Sequence, residues 1–158
     1  ECELIFTGGL DKGGMVYDFG LLKGVVKDFL DSFDHAITLW DGDDREYLDD
    51  MMKHSERWVM LPVNPTAENY AAIIGAAITV IMTNTIFRND ALPTLTAVKV
   101  HETRTGAAHA VQGDWMNHPS IYNASRIRFS TRVLEEMDCE YIEEYLNGEM
   151  TIVDPDEV

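Results

Sequence analysis

The sequence predicts an α+β domain, and three observations support this fold class. Apolar and polar residues alternate over 1–7 and again over 94–102, which is typical of strands with one buried face. Between them, apolar residues recur every three or four positions over 18–33 and over 64–81, which is typical of helices. The order strand, helix, helix, strand favours α+β over a parallel sheet, in which strands and helices alternate strictly.

The first predicted strand places Cys2, Leu4 and Phe6 on one face. A glycine-rich turn follows it over residues 8–14. Because the alternation is already under way at Glu1, we expect that further sequence precedes this strand.

The first predicted helix, residues 18–33, places Phe19, Val26 and Phe29 on one apolar stripe. The chain enters it through GMVYDFGLLK, residues 14–23, which joins the glycine turn to the helix without a break in the sequence. We therefore expect one continuous helix from residue 18.

An acidic stretch separates the two helices. Residues 41–56 are expected to form a loop with a short helix around 47–52. Residues 58–61 are expected to form a short apolar strand. The second helix is predicted to start at Asn64, a good N-cap, followed by Pro65, whose ring is pre-shaped for the first helical position.

The last third of the chain adds further elements. Residues 107–111 are predicted to be a short return strand, and the alternation over 126–133 predicts another. Residues 134–147 have the pattern of an acidic amphipathic helix, with Gly148 as its C-cap.

The chain has 158 residues, which favours one domain of ordinary size. We expect residues 1–110 to form the principal domain, lacking its first strand. Residues 111–158 are expected to be an acidic strand–helix extension packed on the same domain.

A net charge of −16 argues against a nucleic-acid or anionic-membrane partner, since both select for basic surfaces. At 46% hydrophobic residues, the chain can bury a real core. Two distant cysteines do not make a disulfide framework, and no apolar run is long enough to span a bilayer. A cytoplasmic protein is expected.

An acid and a histidine, Asp34 and His35, adjoin at the end of the first helix. A carboxylate beside an imidazole can hold it as a proton-transfer group. The alternative is an exposed pair that ends the helix.

Glu102 lies on the same predicted strand face as Val98 and Val100, where an acid is costly to bury without a partner. A carboxylate there can accept two parallel hydrogen bonds from the N–H edge of a pterin or guanine. Thr66, in the stretch PTAEN, offers a hydroxyl at a helix start whose free N–H groups can meet a ligand. A solvated strand end and an ordinary helix cap are the alternatives.

The remaining histidines form no HxH or HExxH pair, and the chain has no CxxC. His101 is expected to point away from Glu102 and not to share its site, because neighbouring strand residues alternate. The sequence therefore shows no strong metal signature.

Four stretches, GMVYDFGLLK, DH, PTAEN and ET, stand in the order and spacing of one protein family. The chain resembles the 6-pyruvoyl-tetrahydropterin synthase and 6-carboxytetrahydropterin synthase family over residues 1 to about 110. The resemblance implies a tunnelling fold, in which a four-stranded antiparallel sheet carries two helices on one face. Subunits of this fold join into an oligomeric barrel, a trimer or a hexamer, with active sites between subunits.

The resemblance also implies a lyase that acts on 7,8-dihydroneopterin triphosphate with loss of triphosphate, of the 6-carboxytetrahydropterin branch in 7-deazaguanine (queuosine-type) biosynthesis. Glu102 would anchor the pterin, with Thr66 and Thr103 completing its pocket. His35, polarised by Asp34, would shuttle protons with a catalytic cysteine.

The family's zinc is also implied, but its histidines and the catalytic cysteine precede the point where this chain starts. Cys2 is not equated with that nucleophile. The other hypotheses are 6-pyruvoyl-tetrahydropterin synthase, a metal-free enzyme similar to dihydroneopterin aldolase, and a pterin- or purine-binding module without turnover.

Overall fold

A computed structural model describes residues 1–16, 20, 22–87 and 93–153 of the chain. The helices over these residues are α1 Lys27–Asp31, α2 Arg45–His54, α3 Ala67–Thr83, α4 Gln112–Met116, α5 Thr131–Glu136 and α6 Ile142–Leu146. The strands are β1 Cys2–Thr7, β2 Ile37–Trp40, β3 Trp58–Leu61, β4 Thr85–Ile86, β5 Thr94–His101, β6 Ala107–Val111, β7 Arg128–Phe129 and β8 Ile152–Val153. The presence of both helices and strands confirms the α+β class in its coarse form.

The principal sheet is antiparallel, with strands in the order β1-β5-β6. Leu4 pairs with Val98, and the register shifts between Ile5 and Phe6. As predicted, the alternate residues of β1 turn inward, and Ile5 on the other face is 42% exposed. Three strands of this sheet fall within the described residues.

Helix α3 is buried along most of its length and packs on β5 and β6. The prediction that Asn64 caps it was wrong. Thr66 is the N-cap, and its Oγ1 accepts a hydrogen bond from the backbone N–H of Asn69 at 3.3 Å. Pro65 precedes the cap, so the chain stays extended for two residues longer than expected before the helix begins.

The predicted first helix is not continuous. A π-helical turn, Leu22–Val26, precedes α1, and Gly24 within it has non-helical angles of φ −97° and ψ −118°. Glycine tolerates this conformation because it has no Cβ. Val26 and Phe29 are buried as the apolar stripe predicted, whereas Phe19 lies outside the described residues.

A second sheet joins β2 and β3 in parallel and β3 and β7 antiparallel. Helix α2, which connects β2 to β3, is longer than the predicted 47–52. Asp44 extends it at the N-terminus, because its carboxylate accepts from the N–H of Glu46 at 3.0 Å and of Tyr47 at 3.2 Å.

The prediction of a strand over 126–133 was wrong, since only Arg128–Phe129 pair with a neighbour. Ser130 starts a helix instead, and its Oγ accepts a hydrogen bond from the N–H of Val133 at 3.3 Å. A serine cap therefore outweighs the alternating pattern.

The predicted single helix over 134–147 is also wrong. The chain leaves the helical conformation at Met137, with ψ 141°, and α6 begins five residues later. Gly148 does act as the predicted cap: it has φ 72°, and the N–H of Glu149 donates to the carbonyl of Glu144 at 3.0 Å.

We call residues 112–153 the C-terminal segment. Its buried residues belong to the same hydrophobic core as α3. The Trp115 ring lies against Gly75, where an added Cβ would come within 2.6 Å of it, and its Nε1–H donates to Thr79 Oγ1 at 3.1 Å. The segment is thus part of the core and not a loose addition. Among the described residues, no helix has both the length and the apolar character needed to cross a membrane.

Candidate functional site

A cavity of about 540 Å³ opens where the ends of β1 and β5 meet the start of α3. We call it the apolar cavity. Its wall is formed by Leu30, Phe33, Tyr70 and Ile74, and its polar lining residues include Asp34, His101 and Glu102. Three of the four stretches that the sequence singled out therefore contribute to it, since Pro65 and Ala67 line it as well.

The aromatic wall is held by neighbouring side chains. The rings of Phe33 and Tyr70 lie edge to face, with centroids 5.6 Å apart, and Phe29 packs on Phe33 in the same way at 5.6 Å. The Tyr70 hydroxyl is hydrogen-bonded to Thr38 Oγ1. Burial raises the pKa of Tyr70, and this hydrogen bond offsets part of the rise.

Glu102 directly follows β5, and its side chain is exposed at the apolar cavity. Its backbone N–H donates to the carbonyl of Gly106 at 3.1 Å. Glu102 thus lies at the cavity with an exposed side chain, and its role towards a ligand stays a prediction.

Thr66 and Thr103 do not line the apolar cavity within the described residues. Thr66 caps α3. Thr103 Oγ1 accepts from the N–H of Gly106 at 2.9 Å and so closes the turn between β5 and β6. Both hydroxyls hold the backbone beside the cavity in the observed structure.

A second cavity, of about 520 Å³, lies on the other side of Asp34, which lines both. We call it the charged cavity, because Lys27, Asp31, His35 and Arg57 line it. The structure thus places His35 at the charged cavity and Glu102 at the apolar one.

The Asp34–His35 pair is looser than the sequence suggested. His35 Nε2 lies 3.8 Å from Asp34 Oδ2, which is too long for a hydrogen bond, and the two side chains are 88% and 77% exposed. His35 has φ 52°, a left-handed conformation that is uncommon outside glycine. The turn holds the ring outward, exposed to solvent.

Arg57 fixes this turn, and the sequence did not predict this role for Arg57. Its Nε and Nη2 both donate to the backbone carbonyl of Asp34, at 3.2 Å and 3.0 Å, and its Nη1 forms an ion pair with Glu136. No local motif signals these contacts, because Glu136 lies far along the chain.

His101 is also among the residues that line the apolar cavity, and the expectation that its side chain points away from Glu102 stays a prediction. Its Nε2 is hydrogen-bonded to Glu3 on the neighbouring strand, and Lys99 Nζ lies 3.5 Å from the same carboxylate. These two partners, chiefly His101, lower the pKa of Glu3. The His101 imidazole is therefore held by Glu3, which does not line the apolar cavity within the described residues.

Cys2 lines the apolar cavity and is half-buried. Burial raises the pKa of its thiol to about 11. A thiol with such a pKa is almost wholly protonated at neutral pH and is a poor nucleophile.

The zinc implied by the family resemblance has no matching ligand set in the part of the chain that the structure describes. Over those residues, no three His, Cys, Asp or Glu side chains come together as a metal ion requires. His109 and His118 are exposed.

Comparison with known proteins identifies the family. The family model described as 6-pyruvoyl tetrahydropterin synthase matches residues 1–112. The proteins named 6-carboxy-5,6,7,8-tetrahydropterin synthase in two Helicobacter pylori strains, J99 and 26695, are each 35% identical over 114 residues, or 72% of this chain and 57% of theirs. The protein of the same name in Rickettsia bellii is 44% identical over 63 residues, covering 39% of this chain and 45% of that protein.

The chain thus spans 57% of the length of the Helicobacter pylori relatives, and the family match ends where the C-terminal segment begins. With the motifs, the antiparallel sheet and a family match over most of its residues, the chain belongs to the 6-pyruvoyl tetrahydropterin synthase family.

Proposed function

We propose that this chain carries the pterin-binding part of a lyase of the 6-carboxytetrahydropterin synthase type. The substrate is 7,8-dihydroneopterin triphosphate, which loses triphosphate, and the product enters 7-deazaguanine (queuosine-type) biosynthesis. The observation that supports this most directly is the Glu102 carboxylate beside a cavity with an aromatic wall.

The apolar cavity suits a pterin in size and chemistry. Its volume of about 540 Å³ lies within the usual range for small-molecule sites. The flat ring would lie against Phe33 and Tyr70. Its N–H and NH₂ edge would donate two parallel hydrogen bonds to Glu102, an arrangement that fixes orientation as well as affinity.

His35 is proposed as the proton-transfer residue. It lies next to Asp34, which lines both cavities, so the substrate side chain would extend from the apolar cavity past Asp34 towards the imidazole. The Asp34 carboxylate, 3.8 Å away in the free chain, would then draw closer to the ring as it takes up a proton.

The finer structural expectations are part of this proposal. They are a four-stranded antiparallel sheet closed into a trimeric or hexameric barrel, active sites between subunits, a principal domain of residues 1–110, and a cytoplasmic setting. Thr66 and Thr103 are retained as residues that support the pterin pocket through the turns they hold. The described residues support no step that uses zinc, and none is proposed for them.

The test is a fluorescence titration of the 158-residue chain with neopterin. Glu102→Gln is expected to weaken binding about tenfold to a hundredfold, because an amide cannot accept both hydrogen bonds. Glu46→Gln is the matched control, since Glu46 is an exposed carboxylate on α2 that lines neither cavity. Equal binding by the two variants contradicts the proposal.

Turnover then separates the remaining hypotheses. Loss of triphosphate from 7,8-dihydroneopterin triphosphate supports the lyase, and the product distinguishes the 6-carboxy from the 6-pyruvoyl branch. Cleavage of unphosphorylated dihydroneopterin indicates an aldolase-like enzyme. Binding that depends on Glu102, with no turnover of either substrate, indicates a binding module.

A further inference from the structure

We propose that the C-terminal segment positions two of the site's turns, through Glu136 and Tyr122. The inference builds on the proposed function, and it concerns residues that lie beyond the family match. Each residue reaches a different turn by a short series of contacts.

The first link joins Glu136 to the Asp34–His35 turn. The Glu136 carboxylate pairs with Arg57, and it is also held by Arg132 Nε at 2.7 Å on the preceding turn of α5. The Arg57 guanidinium in turn donates twice to the Asp34 carbonyl. One carboxylate of the C-terminal segment thus fixes the guanidinium that holds the turn.

This turn needs such support. The left-handed conformation of His35 costs energy for a residue with a Cβ, and it persists only where neighbouring contacts determine it. The Arg57 side chain is only 22% exposed, so its ion pair is better shielded from water than a surface pair. Without Glu136, we expect Arg57 to leave the Asp34 carbonyl and the His35 ring to lose its fixed orientation.

The second link joins Tyr122 to the start of α3. The Tyr122 hydroxyl donates to Asn69 Oδ1 at 3.0 Å, and Asn69 Nδ2 donates to the Asn64 carbonyl at 2.9 Å. The Asn69 backbone N–H bonds to Thr66, the N-cap. Tyr122 therefore orients the asparagine that fixes the stretch containing Pro65, a residue of the apolar cavity.

The two links act on different steps of the proposed reaction. The first holds the proton-transfer residue, so its loss lowers kcat and leaves KM nearly unchanged. The second shapes the pterin pocket, so its loss raises KM and leaves kcat nearly unchanged. A residue with a structural role alone would lower only the apparent kcat, in proportion to the fraction of folded protein, so kcat is referred to the folded fraction.

The experiment compares Glu136→Ala and Tyr122→Phe with two matched controls, Glu135→Ala and Tyr141→Phe. Glu135 is an exposed neighbour on the same helix, and Tyr141 is 48% exposed. The first readout is amide hydrogen exchange by NMR, which requires no turnover. The second is kcat and KM for 7,8-dihydroneopterin triphosphate.

We expect amide exchange at residues 34–36 to speed up about tenfold in Glu136→Ala, and at residues 66–69 by a similar factor in Tyr122→Phe. We expect kcat to fall about tenfold in Glu136→Ala, and KM to rise about fivefold in Tyr122→Phe. Both controls should stay within about twofold of wild type.

Exchange at the wild-type rate in both test variants overturns the inference, whatever the kinetics. A fall in apparent kcat that is fully accounted for by the loss of folded protein also overturns it. If the wild-type chain binds no neopterin while Glu136→Ala still exchanges faster at 34–36, the proposed function fails and the structural link stands.

Discussion

The apolar and charged cavities share Asp34 but are built from different parts of the chain. The wall of the apolar cavity comes from α1, the turn after it and α3, with β1 and β5 at its edge. The charged cavity needs the C-terminal segment, which supplies Glu136 and its neighbours. The first cavity follows from motifs in the family's part of the chain, and the second depends on residues beyond the family match.

The comparison teaches that a site can have one part specified by local motifs and another by distant packing. Four predictions test it, starting with the largest expected effect.

Trp115→Ala tests whether the C-terminal segment unfolds with the rest of the chain. The side chain is buried between the segment and α3, so we expect a loss of about 3–5 kcal/mol in the free energy of unfolding. Urea denaturation followed by far-UV circular dichroism measures it. Met116→Ala is the control, because Met116 is 53% exposed and should change stability by less than about 0.5 kcal/mol.

A single transition in both variants supports one cooperative unit for the two cavities. Two separate transitions in Trp115→Ala would contradict it, since the wall of the charged cavity would then unfold independently.

Cys2 reports the chemical character of the apolar cavity. With a pKa of about 11, about one thiol in a thousand is ionised at pH 8, so alkylation by iodoacetamide is expected to be about a hundredfold slower than for an ordinary cysteine. Peptide mapping by mass spectrometry measures the modification of Cys2. The urea-unfolded chain is the control, and equal rates in the folded and unfolded chains would mean that burial does not protect this thiol.

Tyr70→Phe removes one hydrogen bond beside the apolar cavity and keeps the ring in place. We expect the free energy of unfolding to fall by about 1 kcal/mol, because Thr38 loses its partner. Tyr47→Phe, at a 48% exposed position on α2, is the control and should have no measurable effect in urea denaturation. If Tyr70→Phe were as stable as wild type, the hydrogen bond from Tyr70 to Thr38 would contribute nothing to the free energy of unfolding.

Glu3→Gln is expected to have the smallest effect, because Glu3 is exposed. Its pKa lies below the ordinary value of 4.5, so its ion pair stabilises the fold above that pH and is lost as the pH falls through the lowered pKa. The melting temperature of Glu3→Gln should therefore be slightly lower than that of wild type at pH 7, and the difference should shrink as the pH falls below 4.5. A difference that persists at low pH would assign the effect to something other than this carboxylate.

The fold could be predicted where local patterns are strong. Alternation located β1 and β5, because each of these strands buries one face. Helical spacing located α3, because this helix is buried over nearly its whole surface. The pattern misled over 126–133, where Ser130 caps a helix that two strand residues precede. The helical spacing also did not predict the break at Gly24, because the sequence does not specify which conformation a glycine adopts inside an apolar stripe.

The site could be predicted in part for a similar reason. Glu102 stands at the end of a strand whose register follows from its own sequence, so its placement at the cavity could be anticipated. Arg57 and Tyr122 could not be, because their roles depend on partners in distant elements that only the folded chain brings close. The hydroxyls of Thr66 and Thr103 were expected in the pocket. A helix cap was the alternative for Thr66, and Thr66 does cap α3, whereas the contact from Thr103 to Gly106 was not anticipated.

The link from Asp34 through Arg57 to Glu136 has a consequence for the order of events during synthesis. A ribosome makes the chain from its N-terminus, so Asp34, Arg57 and Glu102 all emerge before Glu136. A nascent chain therefore presents the residues that line the apolar cavity before Glu136 is available to hold Arg57. The apolar cavity can thus begin to assemble while the turn at His35 still lacks its support from the C-terminal segment.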